Sequence, residues 1–222
     1  MLAANEAMLD PQWACYHTQL YTFEHDRIQF GINGCVVGAP FAVLVAEELF
    51  ACGCQLLISV TSSGLILPDR TPPFFVLIER ALRDEGTSYH YLPPSAYAHI
   101  DNRVLTTLDG AFAELRVPVY GGATWTTDAP FRETPLAIEY ARSEGIVAVE
   151  MEAAGLYALA QARQKPIVCF AHVTNRMGNV VGDFEKGADW GSRDALHVIA
   201  AAARAWAARS PLGGTRPPAP GG

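Results

Sequence analysis

The chain has 222 residues, of which 50% are hydrophobic and 18% charged, with a net charge of −7. Such a sequence is globular rather than disordered, and its length fits one α/β domain able to bury a core without disulfide or metal staples. With no Lys/Arg run to follow a phosphate backbone, no basic-then-apolar leader in "MLAANEAMLDPQW" and no apolar stretch of membrane-spanning length, a cytoplasmic protein without nucleic-acid or membrane partners is expected.

Residues 27–40 ("RIQFGINGCVVGAP") open as a short apolar strand and end in glycines, and 41–52 ("FAVLVAEELFAC") carry apolar residues at helical spacing up to Gly53. Residues 55–66 ("QLLISVTSSGLI") form an apolar run of strand length that breaks into "TSSG", so this region reads as a βαβ unit. Residues 71–86 ("TPPFFVLIERALRDEG") read as a helix opened by prolines and closed by Gly86, and the stretch after it as short strands and loops. A strand and polar loop follow at 113–134, a helix at 135–145 ending at Gly145, and then the strand "IVAV". The helix "EMEAAGLYALAQARQ", the strand 165–175 ("KPIVCFAHVTN") and an Ala-rich amphipathic helix at 192–210 complete the domain. The domain is placed at 1–209 and a Pro/Gly-rich tail at 210–222.

Cys15, Cys35, Cys52, Cys54 and Cys169 are odd in number and read as reduced core thiols, with "CGC" at 52–54 a helix end passing through Gly53. No His/Cys/Asp set has metal-ligand spacing, and neither a "GxSxG" elbow nor a Walker loop is present, so no metal or cofactor is expected. His17 and His172 read as structural histidines, and Asp128 as a turn cap or a ligand contact.

Ligands of open α/β sheets bind outside the carboxyl ends of the strands. "NGC" at 33–35, "TSSG" at 61–64, "TTD" at 126–128, "EME" at 150–152 and "TN" at 174–175 all fall at expected strand ends and together outline a site. Glu150 and Glu152 are its most informative pair. A carboxylate buried without a partner costs several kcal/mol or titrates, so two at a strand-to-helix junction call for partners. A helix N-terminus accounts for negative charge there, but not for Met151 or the other clusters.

The segments "VVGAPFAVLVAEEL…LLISVTSSGLI", "ATWTTDAPFRE", "VAVEMEAAGLYALA" and "HVTN", in this order and spacing over roughly residues 20 to 205, resemble the nucleoside phosphorylase superfamily of purine nucleoside and uridine phosphorylases. The resemblance implies a single-domain three-layer α/β/α fold around a central mixed, mostly parallel sheet, and cleavage of the N-glycosidic bond of a nucleoside. It implies that Glu152 grips the ribose hydroxyls and that Met151 lies against the sugar, while Glu150, counted with Met151 among the substrate-binding residues, is read as helping to order the strand-to-helix turn. An ionised carboxylate on vicinal hydroxyls makes charge-assisted hydrogen bonds and favours an oxocarbenium-like transition state. It also implies that Asn175 meets the base. As an amide, Asn175 can hold a base but cannot protonate it, which favours a 6-oxopurine or pyrimidine-type base. The resemblance further implies that Cys35 and Phe131 fall at substrate-facing positions and that Thr61, Ser62, Ser63 and Gly64 hold the attacking species. Homo-oligomers with shared sites are common in such proteins.

The departures concern phosphate. The family's Gly-Asp-Pro loop is missing, "WACYHTQLY" has no arginine, and Ser59 stands where a strand arginine would be. A phosphate dianion held by hydroxyls and backbone N–H alone forgoes charge-assisted bonds worth roughly 1.5–3 kcal/mol each. Phosphate is therefore a possible co-substrate, with two alternatives: a phosphate-independent nucleosidase, whose water-activating glutamate has no match here because neither nearby residue, Glu6 or Glu24, sits in a fitting context, and a non-catalytic nucleoside binder. The segment "DFEKG" at 183–187, with Arg176, Asp183 and Glu185, reads either as a flap over the pocket or as a solvated loop.

Overall fold

A computed structural model describes residues 7–176 and 191–209 of the protein, with Asn175 and Arg176 described through their backbone. Residues Met8–Leu9 (β1), Leu20–His25 (β2) and Ile28–Asn33 (β3) form a small antiparallel sheet in the order β1-β2-β3. The central sheet contains Leu57–Leu65 (β4), Phe74–Asp84 (β5), Tyr97–His99 (β6), Val119–Thr127 (β7), Ile146–Glu150 (β8) and Ile167–Arg176 (β9), in the order β6-β5-β7-β8-β4-β9. The helices are Ala39–Ala51 (α1), Asn102–Thr107 (α2), Pro135–Ser143 (α3), Ala153–Arg163 (α4) and Ser192–Arg209 (α5).

The architecture is α/β with a mixed sheet. The long ladders, β4 with β9, β5 with β7 and β7 with β8, are parallel, whereas β4–β8, β5–β6 and β5–β9 are antiparallel. Because β9 pairs with β5 as well as β4, strands β5, β7, β8, β4 and β9 close into a ring. The larger apolar core lies beneath α1 and α4, and a smaller one, with Ile66, Trp125, Ala141 and Val149, beneath α3.

Three sequence expectations are corrected. Residues 71–86 are not a helix: Phe74, Phe75, Val76, Leu77 and Ile78 are all buried in β5. Five successive buried positions suit a strand covered on both faces, while a helix would carry some of them round to solvent. The βαβ unit dissolves because β3 belongs to the small sheet, not to that of β4. "TSSG" does not end its strand; β4 runs through it to Leu65, with a bulge at Ser63/Gly64.

The five cysteines are free thiols, but only Cys15 and Cys169 are buried, while Cys35, in the stretch between β3 and α1, and Cys52, at the end of α1, are exposed. His172 is buried and stacked on Phe75 at 4.2 Å, whereas His17 is exposed in a turn with φ 61°. Among the described residues no helix is long and apolar enough to cross a membrane, and no group of three or more His, Cys, Asp or Glu could hold a metal ion. Residues 210–222, Glu6 and the 183–187 segment lie outside the described residues.

Candidate active site

The site is built where β8 ends and α4 begins. The first N–H groups of a helix have no intrahelical acceptor and need one from elsewhere. Here Glu150 provides it: its Oε2 accepts from the N–H of Glu152 and of Ala153, both at 2.7 Å. Its Oε1 accepts from the hydroxyls of Thr124, at 3.2 Å, and Thr126. The parallel register sets Thr126 beside Glu150, and the Thr126 hydroxyl in turn accepts from Ala154 N–H at 3.0 Å. Glu150 is thus buried yet surrounded by four protein donors. Burial pushes its carboxyl up to about 7, the hydrogen bonds from Thr126, Ala153 and Glu152 pull it down, and the nearby charge of Glu152 adds to the rise.

Glu152, also buried, is held differently. Gly38 N–H donates to its Oε1 at 2.7 Å, and Met151 N–H lies 3.4 Å from its Oε2. Gly38 is the N-cap of α1, with φ 88°, a conformation that glycine adopts without steric cost. The two helices approach closely because α4 carries Gly155, where an added Cβ would stand 2.9 Å from the Cβ of Ala39. A sugar is the expected partner of Glu152, and ordering of the turn the expected role of Glu150. In the structure Glu150 is satisfied by the protein itself, and Glu152 rests on the α1 N-terminus with Met151 half-buried beside it.

The strand-end clusters come together by a route other than a shared carboxyl edge. Since β4 and β8 are antiparallel, β4 and β9 run opposite to β5, β7 and β8, so the five clusters do not line one edge of a parallel sheet. They meet through lateral register: Gly64 lies opposite Val149 on one side and Asn175 on the other. The Asn175 side chain lies outside the described residues. Ser63 is buried and Ser62 exposed, and among the described residues the hydroxyls of Thr61 and Ser63 make only long contacts to neighbouring carbonyls, at 3.4 and 3.5 Å. Cys35, exposed and with φ 61°, sits three residues before Gly38. Phe131 is fully solvent-exposed in the turn Pro130–Arg132 and is not brought to the carboxylates by any contact. Asp128 accepts from Gly86 N–H at 2.9 Å, tying the ends of β5 and β7.

Sequence reasoning missed Thr124 and Gly38, and it placed Thr126 at the site only as part of the "TTD" strand end, without its bond to Glu150. The signal for the threonines was their i, i+2 spacing in "ATWTTD", which puts both on one face of a strand next to the "EME" strand. Two cavities lie elsewhere, one of about 290 Å³ between Leu82, Asp84, Trp125 and Tyr140, the other of about 340 Å³ near Cys54, Lys165 and Trp206.

Fold and site together define an α/β protein with a strand-to-helix carboxylate pair braced by a second helix N-terminus. A family model described as "Phosphorylase superfamily" matches residues 12–204, and the chain belongs to that family. It is 31% identical over 165 residues to a guanosine phosphorylase of Halorubrum lacusprofundi, covering 74% of this chain and 67% of that protein. It is 28% identical over 196 residues to a uridine phosphorylase of Thermococcus kodakarensis, covering 81% of this chain and 70% of that one. A crystal structure of uridine phosphorylase from Vibrio fischeri ES114 shares the fold, with a TM-score of 0.71 at 20% identity over 89% of this chain and 81% of the other.

Proposed function

We propose that the protein cleaves the N-glycosidic bond of a nucleoside or a related ribosyl compound, with Glu152 gripping the sugar hydroxyls and Met151 lying against the ring. The observation that carries this reading is the contrast between the carboxylates. Among the described residues Glu150 is consumed by four protein donors, whereas Glu152 has one short bond, to Gly38, and an Oε2 with only the long Met151 contact. Two vicinal hydroxyls would complete its acceptor set, and its charge would oppose positive charge growing on the anomeric carbon as the base leaves. Family membership and the nucleoside phosphorylases among its relatives agree with this. Asn175 is the proposed base contact, with Cys35 and Phe131 as outer contacts, and the enzyme is proposed to be a cytoplasmic homo-oligomer.

The attacking species is proposed to sit at Thr61–Gly64. A phosphorylase-like reaction would place phosphate there as co-substrate. A specific observation favours the second reading, hydrolysis by water. Among the described side chains Ser59 supplies no cation, and Arg80 is engaged with the Glu144 carbonyl and the Tyr97 ring, Arg83 with Ser88, Ser95 and two carbonyls, and Arg142 with the Ile66 carbonyl, while Arg176, paired with Leu65 beside this loop, has its side chain outside the described residues. Release of free base from a panel of purine and pyrimidine nucleosides, with and without phosphate, tests both. Release that requires phosphate makes a phosphorylase, release without it makes a nucleosidase, and nucleoside binding without release makes a binding protein.

A further inference from the structure

We propose that Glu150 is a positioning residue for Glu152, the centre of a clamp joining β7, β8 and the first turn of α4. The proposal rests on the nucleoside-cleaving role of Glu152. Three consecutive N–H groups, those of Glu152, Ala153 and Ala154, end on two side chains, Glu150 and Thr126, which are themselves bonded to each other. One of these N–H groups belongs to Glu152 itself. Its backbone is therefore gripped from the sheet side by Glu150, and its carboxylate is steadied from the α1 side by Gly38. Glu150 makes no use of an acceptor position that a substrate could fill. It acts by fixing where Glu152 stands, and a buried anion at a helix N-terminus strengthens that grip.

The clamp has a defined response to protons. Oε2 faces two backbone N–H groups, which can only donate. Oε1 faces the hydroxyls of Thr124 and Thr126, which can turn from donating to accepting. A proton therefore enters at Oε1, and the amide bonds at Oε2 persist without their charge assistance. The same geometry accommodates Glu150→Gln, with its carbonyl on the amides and its NH₂ on the threonines, so this variant keeps the shape and removes the charge. The titratable groups around the carboxylate are Glu152, Tyr157 of α4 and Cys169 of β9. The charge of Glu152 pushes Glu150 up, and that of Glu150 adds to the burial that raises Tyr157 and Cys169.

The test follows the backbone amide NMR resonances of Glu152 and Ala153 from about pH 5 to about pH 9 in wild type, Glu150→Gln, Thr126→Val and Thr126→Ser. With these go kcat and KM on a nucleoside the wild type cleaves, and a melting curve to show that each variant is folded. In wild type the two amides titrate together near neutrality, and Glu150→Gln abolishes that titration. It also removes the corresponding limb of the kcat/KM profile, with roughly a tenfold loss of kcat/KM because the amide bonds that fix Glu152 lose their charge assistance. Thr126→Val produces a similar loss, and Thr126→Ser, which keeps the hydroxyl, restores activity. Amides that titrate unchanged in Glu150→Gln, or folded Glu150→Gln and Thr126→Val with wild-type kcat/KM and pH profile, overturn the proposal. A wild type that cleaves no nucleoside sinks the functional reading, and the amide titration still decides the clamp.

Discussion

Glu152 accepts a hydrogen bond at 2.7 Å from the backbone N–H of Gly38, a residue 114 positions earlier in the chain. The bond pins the start of α1 to the start of α4 and holds the carboxylate in place before any substrate arrives. For Glu152→Gln, whose carbonyl can still accept from Gly38, the fold persists while the charge on the sugar is lost. We expect kcat/KM for nucleoside cleavage to fall by roughly 100-fold or more, with a melting temperature close to wild type. Steady-state kinetics alongside a thermal melt would check it; unchanged turnover would remove Glu152 from the chemistry.

Gly155 permits the helix approach on which that bond depends. An added Cβ would stand 2.9 Å from Ala39 Cβ and 3.3 Å from Val43 Cγ2. Although alanine is the better helix former, Gly155→Ala should lower stability by about 1–3 kcal/mol through overpacking. Urea titration measures this, and a stabilised variant would contradict the packing account.

The pH dependence of stability has a definite sign at Glu150. Burial lifts its carboxyl from 4.5 to about 7, so between these values the native state holds a proton that the unfolded chain has released. The contribution is therefore greatest below the unfolded value and is lost as pH rises through the window, by at most about 1.4 kcal/mol per pH unit. Glu150→Gln should flatten this slope, which denaturant unfolding at several pH values would reveal. A wild-type slope unaltered by the substitution would refute the assignment.

Tyr157 is fully buried, its hydroxyl donating to the Ile78 carbonyl and accepting from Cys169 N–H at 3.1 Å. Tyr157→Phe leaves both backbone groups short of a partner in the core between α4, β5 and β9. A loss of about 1–3 kcal/mol is expected, and chemical denaturation would detect it.

Phe131, by contrast, is fully exposed, so Phe131→Ala should change stability by less than about 0.5 kcal/mol. A rise in KM without loss of stability would place its ring on the nucleoside. No change in either quantity would make it a bystander.

Much of this was legible in the residues. The helix of "FAVLVAEELFAC", the strand "IVAV" and the helix after "EME" fall where the sequence places them, and α3 ends beside Gly145 with φ 72° as its spacing implied. β5 was misread because prolines at 72 and 73 imitate a helix start, and because a five-residue apolar run says nothing of its period. The carboxylate pair was visible, but its supports were not. Gly38 and Thr126 reach it from 114 and 24 residues away, and only the pairing of β7 with β8 and the packing of α1 on α4 bring them there. The opposed directions of β4 and β8 were equally hidden, since two residue pairs decide them.

The double pairing of β9 bears on how the protein is made. On the ribosome every strand of the ring except the last emerges while β4 still lacks its parallel neighbour and Phe74–Leu77 lack theirs. A nascent chain halted before residue 167 would thus display two unsatisfied borders, one of them among the most apolar runs of the sequence. Closure of long-range pairings of this kind is slow, so the interval between synthesis of β8 and of β9 is when the chain most needs protection from its neighbours.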